Sequence, residues 1–421
     1  MTSRPYCGID FGTSNSAVCA GFGDKLELVP VEGASVTLPS ALFFNFETET
    51  LTFGRAAIGE YLEHYEGRLM RALKSVLGSR LIGETTQIGA GRKDFRAIIG
   101  LYIKHLKARA EAHTGETIED VVLGRPVHFV DEDPDADARA EAELRGIAEA
   151  QGFKNISFEY EPLAAARDYE SRLTRDEVVL VVDIGGGTSD FSVIKLSPKA
   201  KRGDDRTNSI LANSGVHIGG TDFDTRLSLN TAMREMGFRS QMKSGLDMPG
   251  LYYHQLATWH LINFLYTQKN IAGIRQLHFQ AAQPELTQRL VDTVDKQLGH
   301  HVANRIEGAK IALSHQEATS VDLSAVDADW LMSIDRDTLK AATEREVGRI
   351  VDTAVACVTE KAGLERDAIH TLFMTGGSTA MPGFEDAMRA AFPAAAINYG
   401  DRFSSVASGL GLAAKERYAS T

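Results

Sequence analysis

The 421-residue sequence has only three cysteines, Cys7, Cys19 and Cys357. They are too few and too scattered for a disulfide framework or a zinc site, and they fit core filling in a reducing compartment. No apolar run approaches the ~18 residues needed to span a bilayer. The opening stretch, MTSRPYCGIDFG, lacks the apolar h-region of a secretory signal. These absences predict a cytoplasmic protein with no membrane partner. Basic charge is also in short supply: 45 Lys and Arg stand against 57 Asp and Glu, for a net charge of −12. That leaves no footprint for nucleic acid. No Gly-Lys dipeptide occurs, which excludes a Walker A loop. Low-complexity tails and extended linkers are absent as well.

What the sequence does have is glycine in unusual places. DIGGGTSDF (183–191) follows the apolar run VVLVV, and a close echo, GIDFGTSNS, occupies 8–16. The segments flanking the triple glycine are β-rich, so the motif reads as strand–turn–strand, a glycine hairpin. Glycines without Cβ atoms let backbone N–H groups come close to a ligand. They also tolerate the φ > 0 angles of a concave anion nest. The Thr and Ser that follow add hydroxyl donors. An Asp just before the glycines would repel phosphate unless a divalent cation lay between them, and Mg²⁺ prefers carboxylates, waters and phosphate oxygens. Two such hairpins facing each other would clasp a phosphate tail, one Asp from each lobe of a pseudo-duplicated fold. Either motif alone could be an unliganded turn; finding both after strands, far apart in the chain, favours the ligand.

Alanine-rich stretches of helical period separate the strands, at 57–73, 95–113, 135–151, 162–173, 222–237, 251–268, 284–315, 337–362, 380–391 and 405–418. Strands alternating with helices indicate α/β architecture. SPKAKRGDDRTNS (197–209) reads as a long hairpin loop, and 239–252 as irregular. Three tempting motifs fail on inspection. DEDPDADAR (131–139) looks like a calcium loop, but Ala136 and Ala142 stand where an EF-hand needs Gly and Glu. It reads instead as an acidic lead into a helix N-terminus. His300 and His301 are adjacent, so on a helix their side chains diverge and make a poor metal pair. TGGSTAM lacks the second glycine of a nucleophile elbow.

GIDFGTSNS and DIGGGTSDF resemble the two phosphate hairpins of the actin, sugar-kinase and DnaK ATPase superfamily. Further stretches resemble the DnaK branch, the seventy-kilodalton heat-shock chaperones. RALKSVLG resembles the segment carrying the catalytic lysine, here Lys74. VVLGRPVHF resembles the strand of a relay proline, here Pro126, and Arg139 falls where the relay arginine is expected. YEPLAAARDY resembles the segment of the catalytic glutamate, here Glu161. NSGVHIGGTDFD offers the glycine pair Gly219 and Gly220; EGAKIALS offers Glu307, Lys310 and Ser314 for adenosine; FMTGGSTAMP offers Gly376, Gly377 and Ser378. Taken alone, Glu307 and Lys310 would be a solvated i,i+3 pair, Lys74 a surface lysine, and Glu161 a helix N-terminal acid.

The resemblance covers nearly the whole chain. It implies an actin-like ATPase fold, two duplicated ribonuclease H-like α/β lobes around a nucleotide cleft. Lobe I would take 1–172 completed by 396–421, and lobe II 173–395 with a helical insertion near 222–305. It implies ATP or ADP with Mg²⁺, slow ATP hydrolysis, and a protein partner that the sequence does not name. Gly12, Thr13, Ser14 and Asn15 with Gly185, Gly186, Gly187 and Thr188 would hold phosphates. Asp10 and Asp183 would hold Mg²⁺ mainly through water. Lys74 would neutralise the transferring phosphoryl, and Glu161 with Thr188 would orient the water. Two departures stand out. The family's apolar linker, peptide-binding β-sandwich and helical lid have no counterpart before Thr421, as in short YegD-type relatives. Ala380 stands where the family places an arginine over the adenine. Three functional classes follow: a nucleotide-driven, chaperone-like switch, which the motifs favour, a small-molecule kinase, and a filament-forming or pseudo-ATPase scaffold.

Overall fold

The computed structural model describes residues 4–63, 65–130, 133–198, 207–400 and 404–419. Two sheets, of six and five strands, share one five-stranded plan. The first runs Asn155–Tyr160, Asp120–Arg125, Pro5–Phe11, Asn15–Phe22, Lys25–Leu28, with Thr37–Pro39 added against Asn15–Phe22. The second runs Ala396–Tyr399, Thr371–Thr375, Glu177–Ile184, Ser189–Leu196, Ile210–Val216. In each, the three strands of a meander are antiparallel and the two strands on the other side are parallel. The duplicated two-lobed α/β fold expected from the paired glycine motifs is therefore present. VVLVV reads as continuously apolar because its strand is central and covered on both faces; Val179 to Val182 are all buried. The three cysteines are free and buried, as expected of core filling.

Two helices join the sheets. Glu161–Glu170 and Ser405–Tyr418 share one core with both: Tyr6 and Val122 of the first sheet and Val181 and Phe373 of the second pack with Leu163, Ala166 and Leu410. Small residues let these helices approach closely. A Cβ placed on Gly409 would lie 1.9 Å from the carbonyl oxygen of Ala164. One on Gly8 would lie 2.3 Å from the backbone nitrogen of Gly411. The chain thus returns to the first sheet only after Ala396–Tyr399, which pairs in parallel with Thr371–Thr375 of the second. The expected return at residue 396 comes too early, because that strand completes the second sheet.

Several helix boundaries also move. The stretch 57–73 is a helix only over Gly54–Leu62; Gly67–Arg71 is a strand paired with Ala41–Asn45. Helix-forming Leu and Met are overridden there by sheet pairing. The stretch 284–315 is broken into Pro284–Asp295 and Gly299–Leu313 by a turn in which Gln297 is left-handed, φ 55°. The stretch 251–268 is likewise divided, into Leu251–Ala257 and Ile262–Leu265, and 222–237 into Gly220–Asn230 and Ala232–Glu235. The helix expected from 380 starts at Phe384, after Gly383 at φ 84°. The long hairpin loop is flanked by the antiparallel strands Ser189–Leu196 and Ile210–Val216, and its residues 199–206 lie outside the described residues. In the acidic lead, Asp133 caps helix Pro134–Ala150 by accepting from the Ala136 amide, while 131 and 132 lie outside the described residues.

The Gly409–Ala164 contact predicts an unequal response to two alanines. Gly409→Ala forces backbone apart and should cost about 1–3 kcal/mol or more. Gly348→Ala, on an open helix face with no atom within 4 Å, should stabilise by roughly 0.5–1 kcal/mol. Denaturant midpoints of the two variants check this; equal midpoints would refute the close approach.

Candidate active site

The two glycine turns face each other across the cleft between the lobes. The first is braced from below: Ser40 donates its hydroxyl to the Gly12 carbonyl (2.7 Å) and its amide to the Ser14 carbonyl (2.8 Å). The second closes with Gly185 N–H to the Thr188 carbonyl (2.9 Å). It is held from behind by Gly220 N–H to the Gly185 carbonyl (3.0 Å), Thr221 N–H to the Gly186 carbonyl (2.7 Å) and Ser378 Oγ to the Gly185 carbonyl (3.1 Å). None of Gly185, Gly186 and Gly187 is left-handed. Their need for glycine is proximity: a Cβ on Gly186 would lie 2.2 Å from Ser14 Oγ, and one on Gly219 2.7 Å from Gly187 N. The expected φ > 0 nest is therefore corrected to a close approach between lobes. Among the described residues the amides of Gly186 and Gly187 donate to no protein acceptor, and these residues line the cleft. Such amides suit an anion.

Acidic groups gather below these turns. Asp10 and Asp183 end equivalent strands, Pro5–Phe11 and Glu177–Ile184. Lys74, on a 3₁₀ turn at Leu73–Val76, ion-pairs with Glu161, the first residue of helix Glu161–Glu170. Both side chains are largely covered, at 10% and 17% exposure. Burial would pull the Lys74 ammonium down, but Glu161 and Asp10 hold it above its ordinary value. Desolvation and the neighbouring Asp190 and Glu161 charges push Asp183 up to about 7. Desolvation and Glu161 raise Asp10 as well, against the pull of Lys74. Asp190 is a site residue that the sequence reading passed over, although it closes the quoted motif; it accepts from Thr188 Oγ1 at 2.9 Å.

A surplus of carboxylate with one lysine is what a divalent cation would relieve. Among the described residues no three His, Cys, Asp or Glu side chains are grouped to ligate a metal directly. Carboxylates of this kind, too few for direct ligation, suit Mg²⁺ kept in a shell of water and phosphate oxygens.

The cleft has a volume of about 1000 Å³ and also takes in Asn15, Glu307, Lys310, Ser314, Gly376 and Gly377. Lys310 does not pair with Glu307; it bonds Asp224 at 2.8 Å and the Gly220 carbonyl at 3.0 Å. Desolvation, opposed by Lys310, pushes Asp224 up to about 6. Asp224 belongs to the quoted GGTDFD segment, and only the fold reveals its partner. Gly376 is the one left-handed glycine of the site, φ 83°, where a Cβ would lie 2.4 Å from Asp183 Oδ1. Ile311, 56% exposed, and Ala380 both line this end, so two of its side chains are apolar. Pro126 lines the cleft, whereas Arg139 is exposed on helix Pro134–Ala150. The arginine that bonds the Pro126 carbonyl is Arg125, at 3.1 Å.

The family model described as Hsp70 protein matches residues 6–247 and 279–414. The chain belongs to the Hsp70 family. Hsp70-family proteins are ATP-binding, chaperone-like ATPases that use adenine nucleotide with Mg²⁺, and their actin-like fold is the duplicated arrangement seen here. Residues 248–278 fall outside the Hsp70 match. No described helix is long and apolar enough to cross a membrane.

The raised Asp183 carboxyl has a signed consequence. Its folded value, about 7, exceeds the ordinary 3.8, so the folded state holds more protons across that window and loses stability as pH rises through it. Without Mg²⁺ and nucleotide, Asp183→Asn should match wild type in melting temperature near pH 4 and exceed it increasingly towards pH 8. Differential scanning fluorimetry across pH checks this; a constant offset would refute it.

Proposed function

We propose that the protein is a slow, Mg²⁺-dependent ATPase that works as a nucleotide-driven conformational switch on a protein partner. The observation that carries this reading is the covered Lys74–Glu161 pair in the same cleft as two facing glycine turns, each with an Asp at its entry. In this reading the amides of Gly186 and Gly187, with Thr13 and Ser14, bind phosphate oxygens. Asn15 flanks the first turn. Bound Mg²⁺ would supply positive charge against the phosphates, with Asp10 and Asp183 holding its waters. Lys74 places an ammonium where charge gathers on the transferring phosphoryl. Glu161 and Thr188 orient the attacking water. Catalysis of this kind is positioning plus electrostatics, not covalent chemistry. Gly219, Gly220, Gly376, Gly377 and Ser378 shape the second turn. Glu307, Lys310 and Ser314 form the adenosine wall, Lys310 by fixing Gly220 and Asp224 in place.

The switch reading draws on contacts across the cleft mouth. Tyr61 of lobe I hydrogen-bonds Asn263 (2.8 Å) and His300 (3.3 Å) of lobe II, and Arg71 lies over the Trp259 ring at 5.0 Å. Trp259 and Asn263 sit in the segment outside the family match. Opening the lobes breaks this set, so nucleotide release and lobe movement are one event.

Two measurements test the reading. Lys74→Ala should lower single-turnover ATP hydrolysis about 10²-fold or more while ADP binding changes far less, because the charge matters most in the transition state. Hydrolysis at the wild-type rate would sink the assigned role. Tyr61→Phe removes a hydroxyl that makes hydrogen bonds of about 0.5–1.5 kcal/mol each, so release of fluorescent ADP should quicken roughly two- to tenfold. An unchanged rate would mean that the mouth contacts do not resist opening.

A further inference from the structure

A dense polar network near the Lys74–Glu161 pair centres on Arg125, a residue that neither the glycine motifs nor the family resemblance singles out. It ends strand Asp120–Arg125 directly opposite Tyr160 in register. Its side chain is 12% exposed. Every face of the guanidinium is engaged. Nε donates to the Pro126 carbonyl at 3.1 Å, and Nη2 to the Val127 carbonyl at 3.2 Å and to Asp137 at 2.7 Å. Nη1 donates to Glu141. The plane lies over the rings of Phe129 (5.4 Å) and Tyr160 (5.1 Å). Asp137 returns the grip by accepting from the Phe129 amide.

We propose that Arg125 is the positioning residue of the Lys74–Glu161 pair. It reaches both partners by short paths. On one side its stacking partner Tyr160 is the residue before Glu161, and the neighbouring Gly124 is so close to Glu161 that a Cβ would lie 3.2 Å from its Cγ. On the other side it shapes Pro126–Phe129, which lines the cleft. That loop continues into Val130, which packs on Gly78: a Cβ there would lie 2.4 Å from Val130 Cγ2. Gly78 follows the Lys74 turn, Leu73–Val76, in the chain. A lysine cannot replace this arginine, since a point charge lacks the planar fork and the stacking faces. Arg125 contacts neither phosphate hairpin in any described hydrogen bond, so its loss should be felt in the chemical step and not in nucleotide affinity.

This proposal rests on the ATPase reading, and one set of assays separates the two. Single-turnover hydrolysis at saturating Mg-ATP, ADP titration calorimetry and melting temperature are measured for wild type, Arg125→Lys, Glu141→Gln and Arg139→Ala. Expected is a loss of about ten- to a hundredfold in hydrolysis for Arg125→Lys, with the ADP dissociation constant unchanged within about twofold. Glu141→Gln, which keeps the shape of the partner and serves if the lysine variant does not fold, should lower hydrolysis in the same direction, again with ADP affinity kept. Arg139→Ala, exposed on the same helix, should change nothing. Wild-type hydrolysis in both network variants, losses of rate and ADP affinity in equal proportion, or a hydrolytic loss in Arg139→Ala alone would each overturn it. Absence of hydrolysis in wild type itself would overturn the ATPase reading and this proposal together.

Discussion

The close approach of two helices between the sheets is the constraint on which the rest of the molecule depends. Helix Ser405–Tyr418 comes from the end of the chain and helix Glu161–Glu170 from its middle, and they meet with backbone against backbone at Gly409 and Ala164. Only glycine at position 409 permits this spacing. The contact carries function because Glu161 is the first residue of one of these helices, and Gly8, two residues before Asp10, packs on the other. The same packing therefore sets where Glu161 and Asp10 stand at the floor of the cleft.

Within the cleft, electrostatics and packing pull against each other. The fold brings Asp10, Asp183, Asp190 and Glu161 around one lysine, and desolvation raises Asp10 and Asp183 out of the ordinary carboxylate range. Without a cation this arrangement costs stability near neutral pH; packing elsewhere must offset it. Strain of this kind is common where a protein prepares a site for charge that arrives with its ligand.

How much of this was legible differs between elements for physical reasons. The glycine turns and their Asp, Thr and Ser residues were legible because the requirement is local, although the reason proved to be lobe-to-lobe proximity and not backbone handedness. The strand Gly67–Arg71 was hidden, since RLMRALK carries helix-forming residues and only its pairing with Ala41–Asn45 makes it β. The break at Gln297 was hidden too, as nothing in DKQLGHH demands a left-handed residue there. Arg139 stood at the expected spacing from Pro126, yet helix Pro134–Ala150 leaves it exposed, and the adjacent Arg125 bonds the proline carbonyl.

By itself the sequence determined the α/β class and the duplication, because strand period and the repeated glycine motif each express a local rule. Pairing partners were decided by tertiary structure alone. Lys74 meets Glu161, Lys310 meets Asp224 in place of Glu307, Arg125 joins Asp137 and Glu141, and Tyr61 meets Asn263 across the mouth. Most of these groups are remote in sequence, and which charge neutralises which depends on distance and desolvation, quantities that exist only once the two sheets have closed on their shared helices.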